Sequence, residues 1–380
     1  MKWGIPMKIL YNAMVLKEPY SGVEVTVHQL AKAFSRDGTL PICACVPHNH
    51  REIKETPRLR LYRAAEWASR SRMMRILWEQ TVLPVLLSRT RATLLHAPAY
   101  VAPVLSPCPL VLTIHDLHVM THPQFCGKRN RMHYNLLIPR SIRKAEAVIA
   151  FSAYTKRNII SRFPEAQDKI TVIPPGIAPE LKHCTRFSRM QEVKNRYHLP
   201  SSFLLFVGDL SLRKNVVGLI QAFAIVQAER PDLHLVLAGS ASHATAVAID
   251  QTIRQFDIGH RVRLTGYIDQ EDLGVLYSLA KAFVFPSHDE GFGLPPLEAM
   301  ACGCPVVCSG GAAVENCGDA AVTCDPRDPA SIAQAVSLLL DNPYFREEKV
   351  AAGYQKAARF TWEATVQATE ALYRRVHQKC

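Results

Sequence analysis

Along this chain, short apolar runs alternate with glycine or polar turns and with segments whose apolar residues recur at helical spacing. In the first half the strand-like runs are Lys8 to Met14, Pro41 to Val46, Leu110 to Ile114, Ala147 to Phe151 and Thr171 to Ile173. Helices are expected near Val25 to Phe34 and Pro139 to Lys144. The pattern restarts at Phe203-Leu204-Leu205-Phe206-Val207-Gly208, continues through a helix reaching Phe223 and a strand from Leu233 to Ala238, and then gives runs at Val262 to Thr265, Val284 to Phe285 and Pro305 to Val307. Repetition of strand, turn and helix marks parallel βαβ units, so the chain is expected to be α/β with two doubly wound domains. The expected boundaries are residues 1–178, a polar linker at 179–200 with one short helix, a second domain at 201–358, and a terminal helix at 359–380.

Bulk properties narrow the class. A length of 380 residues exceeds what one core usually supports, and 48% hydrophobic with 21% charged residues excludes a disordered chain. Nothing approaches the roughly 18 uncharged apolar residues of a membrane helix, and Leu83 to Leu87 is interrupted by Pro84. The start, Met1-Lys2-Trp3-Gly4-Ile5-Pro6, offers no small-residue cleavage site, so a cytoplasmic protein without signal peptide is expected. Eleven cysteines, an odd number and mostly within apolar runs, fit reduced thiols better than a disulfide framework. Cys302, Cys304, Cys308, Cys317 and Cys324 lack paired CxxC spacing and are expected to be buried thiols, with no metal site.

The formal charge of +12 calls for an anionic partner. Cations concentrate between Arg51 and Arg91 and between Lys128 and Arg162. Lys54 to Trp78 interleaves arginines with Leu, Met and Trp, as in an amphipathic helix lying on an anionic membrane surface or packed on its own domain. No reading helix, zinc finger or aromatic platform argues for nucleic acid.

In doubly wound folds ligands bind beyond the carboxyl ends of the strands, and two such domains are expected to face each other across a cleft. Three strand-to-helix loops therefore matter. Pro19-Tyr20-Ser21-Gly22-Val23 opens a helix, where free amides favour an anion. Gly208-Asp209-Leu210-Ser211-Leu212-Arg213-Lys214-Asn215 lacks Walker spacing, yet sets two cations at a helix start against the dipole, which suits a phosphate clamp. The densest signal is Glu290-Gly291-Phe292-Gly293-Leu294-Pro295-Pro296-Leu297-Glu298. Its glycines permit close backbone approach, its prolines suit a first helical turn, and its two carboxylates suit sugar and ribose hydroxyls at an exposed cleft mouth.

Glu290 and Glu298 in E-x7-E spacing resemble the retaining GT-B glycosyltransferases of the large family four. Ser21-Gly22-Val23 is similar to that family's glycine loop, Ile114-His115-Asp116-Leu117 to its histidine motif, and Phe151-Ser152 to its strand-end serine. Val172-Ile173-Pro174-Pro175-Gly176-Ile177 resembles its domain-closing strand, Arg213-Lys214-Asn215 its phosphate motif, and Phe360-Thr361-Trp362-Glu363 to Tyr373 its last helix, which crosses back to the first domain.

The resemblance implies a GT-B fold of two Rossmann-like domains and a hexosyltransferase with roles for individual residues. Arg213 and Lys214 would hold the donor diphosphate, Glu298 the ribose, and Glu290 the donor sugar, aided by backbone at Gly291, Phe292, Gly293 and Leu294. His115 would contact the sugar near its reacting carbon, Tyr267 and Ile268 the base, and Gly22, Ser152 and Gly208 would complete the donor site. Asp209 stands where relatives often carry a second arginine, which puts more weight on Arg213. Negative charge grows on the distal phosphate during transfer, and without a convincing Asp-x-Asp motif the cations and helix N-termini are expected to meet it without metal or other cofactor. Retention is expected through front-face attack. The wording Gly293-Leu294-Pro295-Pro296 leans towards GDP-mannose, with a UDP-sugar next, and a saccharide or lipid-linked saccharide acceptor in surface polysaccharide synthesis. An epimerase-like nucleotide-sugar enzyme stays open on the residues alone.

Overall fold

In the computed structural model, which describes residues 7–18, 20 and 22–379, the chain divides into two compact units. The first comprises Met1–Gly176 with Thr361–Cys380, and the second Ile177–Phe360.

The first unit is built on seven parallel strands: β1 (Ile9–Asn12), β2 (Ile42–Val46), β3 (Leu59–Arg63), β4 (Leu94–Ala97), β5 (Leu110–Ile114), β6 (Ala147–Ala150) and β7 (Ile170–Val172). Their order is β3-β2-β1-β4-β5-β6-β7, so the winding reverses between β1 and β4. The second unit repeats the plan with β8 (Phe203–Val207), β9 (His234–Ala238), β10 (Val262–Gly266), β11 (Ala282–Phe285), β12 (Val306–Cys308) and β13 (Ala321–Thr323) in the order β10-β9-β8-β11-β12-β13, reversing between β8 and β11. Every residue of β1, β4, β5, β6, β11 and β12 is buried, as expected for parallel strands covered on both faces by helices.

The apolar runs located most of these strands. Three were not anticipated: β3, β4 and β13. The expected amphipathic helix over Lys54 to Trp78 does not exist as one element. Pro57 and the register of Leu59 to Arg63 against Ile42 to Val46 make the segment strand β3, followed by a short helix Glu66–Ser69 and a long helix Arg72–Thr90. That long helix runs through Pro84, and helix Lys128–Lys144 runs through Pro139, extending well upstream of the helix expected at Pro139.

The segment expected as a linker at 179–200 carries helix Phe187–Tyr197 and is anchored within the second unit. Arg189 and Arg196 both bind the fully buried Asp272 carboxylate, Arg196 at 2.8 Å, and the Tyr197 hydroxyl donates to the same group at 2.8 Å. The terminal helix Trp362–Lys379 is part of the first unit. Its Tyr373 hydroxyl meets His96 Nδ1 at 2.6 Å, and its Glu370 carboxylate accepts from the amides of Thr39 and Leu40 at 2.7 and 2.9 Å. Where the chain leaves this unit, Gly176 lies so close to Trp362 that an added Cβ would stand 2.2 Å from the Trp362 nitrogen, leaving no room for a side chain.

Candidate active site

The two strands flanking the reversal in the second unit, β8 and β11, each deliver a loop to the same place. Gly208 follows β8, and the turn beyond it brings Arg213 and Lys214 to the start of helix Val216–Gln227. Ser287 and Glu290 follow β11. Lys214 Nζ binds Glu290 Oε1, Arg213 Nη1 lies 3.2 Å from the same oxygen, and the Ser287 hydroxyl donates to it at 2.7 Å. Arg213 Nη1 also donates to the Asp289 carbonyl at 2.7 Å, and Lys214 Nζ sits 4.6 Å above the Phe285 ring.

Glu290 is only 7% exposed and Lys214 9%, so this ion cluster is not the exposed cleft mouth expected from sequence. Burial works against the Glu290 charge. Lys214 and Arg213 beside it, with hydrogen bonds from Lys214 and Ser287, outweigh that penalty and hold the carboxyl below its ordinary range. The puzzle of two cations at a helix start is thereby resolved, because Glu290 supplies the compensating charge.

Gly293 adopts φ +85° at the cap of helix Leu294–Ala301, and a Cβ there would lie 2.7 Å from Ala313 Cβ, so both backbone and packing demand glycine. Phe292 is buried against Phe360, and its carbonyl accepts from Asn316 Nδ2 at 2.7 Å. One turn into the helix, half-buried Glu298 accepts from the Tyr277 hydroxyl at 3.1 Å, and burial pushes its carboxyl up to about 7 against that hydrogen bond. Tyr267 and Ile268 follow β10, Tyr267 exposed and Ile268 buried, and Asp209 is exposed.

The remaining candidates belong to the first unit. His115, at the end of β5, is buried between the rings of Tyr100 and Phe151 and donates from Nε2 to the Pro98 carbonyl at 2.7 Å. Burial lowers its pKa and outweighs the opposing pull of that carbonyl and of Asp116 and Glu24, so its imidazole is neutral. The Ser152 hydroxyl caps helix Ala153–Arg162 by accepting from the Thr155 amide at 3.0 Å, a structural task independent of any ligand. Gly22 opens helix Gly22–Asp37, where an added Cβ would meet nothing within 4 Å. Pro19 and Ser21 of the expected glycine loop lie outside the described residues.

Sequence reasoning missed four groups. Ser287, three residues before Glu290, was legible as its neighbour, whereas nothing in the sequence around Tyr277 singles it out. The other two line a cavity of about 840 Å3 in the first unit, at the reversal between β1 and β4. There Asn12 Nδ2 donates to Glu79 Oε1 at 3.1 Å, and burial raises the Glu79 carboxyl above its ordinary range despite nearby Arg75 and Arg72.

Cys302, Cys304, Cys308 and Cys317 are buried thiols, whereas Cys324, expected among them, is half-buried, and burial pushes Cys302 up to about 12. Among the described residues no group of three or more His, Cys, Asp or Glu side chains is placed to hold a metal ion.

Comparison with known proteins adds independent findings. The profile of Glycosyltransferase Family 4 matches residues 20–181, and that of Glycosyl transferases group 1 matches residues 190–359. O-antigen chain mannosyltransferase B of Escherichia coli is 32% identical over 257 residues, 67% of each chain. Serotype-specific mannosyltransferase WbdA of Escherichia coli is 29% identical over 264 residues, which span 68% of this chain and 32% of that longer protein. Among solved structures, sucrose-phosphate synthase from Thermosynechococcus elongatus aligns with a TM-score of 0.78 at 21% identity, covering 98% of this chain and 100% of that one. Anabaena Alr3699/HepE in complex with UDP and glucose aligns with a TM-score of 0.73 at 20% identity over 97% and 100%. Likeness at such identities speaks for the fold.

Proposed function

The chain belongs to the family-four GT-B glycosyltransferases, and from that premise we propose that it moves a hexose, mannose by preference, from a nucleoside diphosphate donor to a saccharide or lipid-linked saccharide with retention and without a metal. The observation that carries this reading is the cluster of Arg213, Lys214 and Glu290 at the strand reversal of the second unit. Two cations preorganised at a helix start suit the charge that grows on the leaving phosphate, the task a divalent ion performs elsewhere. Glu290 and Glu298, eight positions apart, suit the sugar and the ribose of one donor. His115, neutral and with Nε2 bound to a carbonyl, suits orienting the sugar rather than taking a proton at that nitrogen.

Mannose, as GDP-mannose ahead of a UDP-sugar, rests on the similarity to the O-antigen mannosyltransferase. The cavity of the first unit is the natural acceptor pocket in this reading. Peripheral contact with an anionic membrane is supported by helix Lys128–Lys144, which carries six cations and no carboxylate and exposes Met132 and Leu136. Among the described residues no helix is long and apolar enough to cross a membrane.

The test is a panel of nucleotide sugars offered to purified protein in excess chelator, with product anomers read by NMR. GDP-mannose is expected to be the preferred donor, turnover to survive chelation, and the product to keep the donor's configuration. Turnover lost in chelator and restored by magnesium or manganese would show that the cations do not replace a metal. An inverted product would refute retention.

A further inference from the structure

We propose that Glu79, held by Asn12, is the group that grips a hydroxyl of the acceptor saccharide. This rests on reading the cavity at the β1/β4 reversal as the acceptor pocket. Glu79 lies on helix Arg72–Thr90, and its Oε1 accepts from Asn12 Nδ2 at 3.1 Å. One oxygen is thus fixed from β1 while the side chain still lines the cavity, leaving acceptor capacity on a carboxylate whose position is set. On the same helix, one turn earlier, Arg75 lines the cavity with its buried Nε lacking any hydrogen-bond partner. A buried donor left unsatisfied in the empty protein points to a group that a ligand completes. A fixed carboxylate and an unsatisfied guanidinium nitrogen, one turn apart on the same helix, form a surface of the kind that binds sugar hydroxyls.

The lining holds four cations, Lys17, Arg51, Arg72 and Arg75, with three carboxylates, Glu18, Glu24 and Glu79, so charged donors and acceptors both line the cavity. The volume of about 840 Å3 lies within the range of ordinary ligand pockets, which leaves room for more than one sugar ring.

The experiment is direct binding of disaccharides, mannobiose first, to the full chain by saturation-transfer NMR and titration, with GDP and UDP titrated in parallel. Glu79→Gln keeps the oxygen that accepts from Asn12 and removes the charge, so folding is preserved. It is expected to weaken mannobiose binding by about tenfold or more, the scale of a hydrogen bond to a charged group, and to leave nucleoside diphosphate affinity within twofold. Arg75→Met is expected to weaken the same saccharides. Unchanged mannobiose affinity in Glu79→Gln, or no binding of any saccharide to the wild type, would each overturn the proposal. Failure of the wild type to bind any nucleoside diphosphate would count against the transferase reading instead, because that titration does not involve Glu79.

Discussion

Lys214 and Glu290 are partners in the empty protein: the ammonium that suits a diphosphate is bound to the carboxylate that suits a sugar. Two cations of one loop thus share a single carboxylate of the other, which leaves one positive charge over. In the proposed reading a donor diphosphate would exchange with Glu290 around the same two cations.

This exchange makes stability and activity separable. Lys214→Ala is expected to lower kcat/KM by the equivalent of about 2–4 kcal/mol, the cost of losing one preorganised charge-stabilising group. It is also expected to lower the urea midpoint, because Glu290 stays buried with one cation fewer. Adding Glu290→Gln should return the midpoint towards wild type and leave activity lost. The Glu290→Gln single variant completes the cycle, and changes in stability that simply add would show that the pair is not coupled.

The two carboxylates are expected to diverge in their effect on the free nucleoside diphosphate. Glu298→Ala should weaken it and chiefly raise the donor KM, as loss of uniform binding does. Glu290→Ala should leave its affinity unchanged or tighter, since Arg213 and Lys214 are released, while kcat falls by perhaps 10–100-fold through loss of sugar positioning. Isothermal titration of both variants decides the matter. The reverse ranking would mean that the donor lies the other way round.

Glu298 predicts a pH dependence. Its carboxyl, pushed up to about 7 by burial, is protonated at pH 6 and ionised at pH 8, and only the ionised form offers both oxygens to ribose hydroxyls. The donor KM is therefore expected to fall as pH rises through about 7, and Glu298→Gln to hold the weaker value throughout. Stability runs the other way. A carboxyl whose folded value lies above its unfolded one stabilises fully below the unfolded value and loses that contribution as pH rises towards 7. Empty wild-type protein should lose midpoint between pH 5 and 8 relative to Glu298→Gln, measured by urea titration at each pH.

The strands most legible in the sequence were those whose burial on both faces leaves an uninterrupted apolar run, such as Leu110 to Ile114 and Phe203 to Val207. Strand β3 escaped because only Leu59 of its five residues is buried, and its arginines imitate an amphipathic helix. Strand β4 escaped because it is four residues long and contains His96, whose two ring nitrogens are satisfied by Tyr373 and Thr113 far away in sequence. Pro84 read as an interruption and Pro139 as a helix start, although each costs a helix only a local hydrogen bond that packing offsets. At the candidate site, spacing nominated Arg213, Lys214 and Glu290 but not that they bind one another, since 76 residues separate Lys214 from Glu290. Glu79 carried no motif, and only the geometry of β1 and a helix 60 residues later brings it to Asn12.

The return of the chain to the first unit at Thr361 has a consequence for biosynthesis. That unit is begun first, yet Tyr373 is the partner of buried His96 and Glu370 holds the amides of Thr39 and Leu40, so its last helix exists only after the whole second unit has been translated. Domains fold as units during synthesis at about 5–20 residues per second, so the ribosome holds an unfinished first unit for roughly ten seconds or more while residues 177–360 are made. During that interval the second unit, continuous in sequence, is free to fold ahead of the one that precedes it. An emerging chain thus leaves Phe34 and His96 without the cover of Tyr373 until helix Trp362–Lys379 packs onto them.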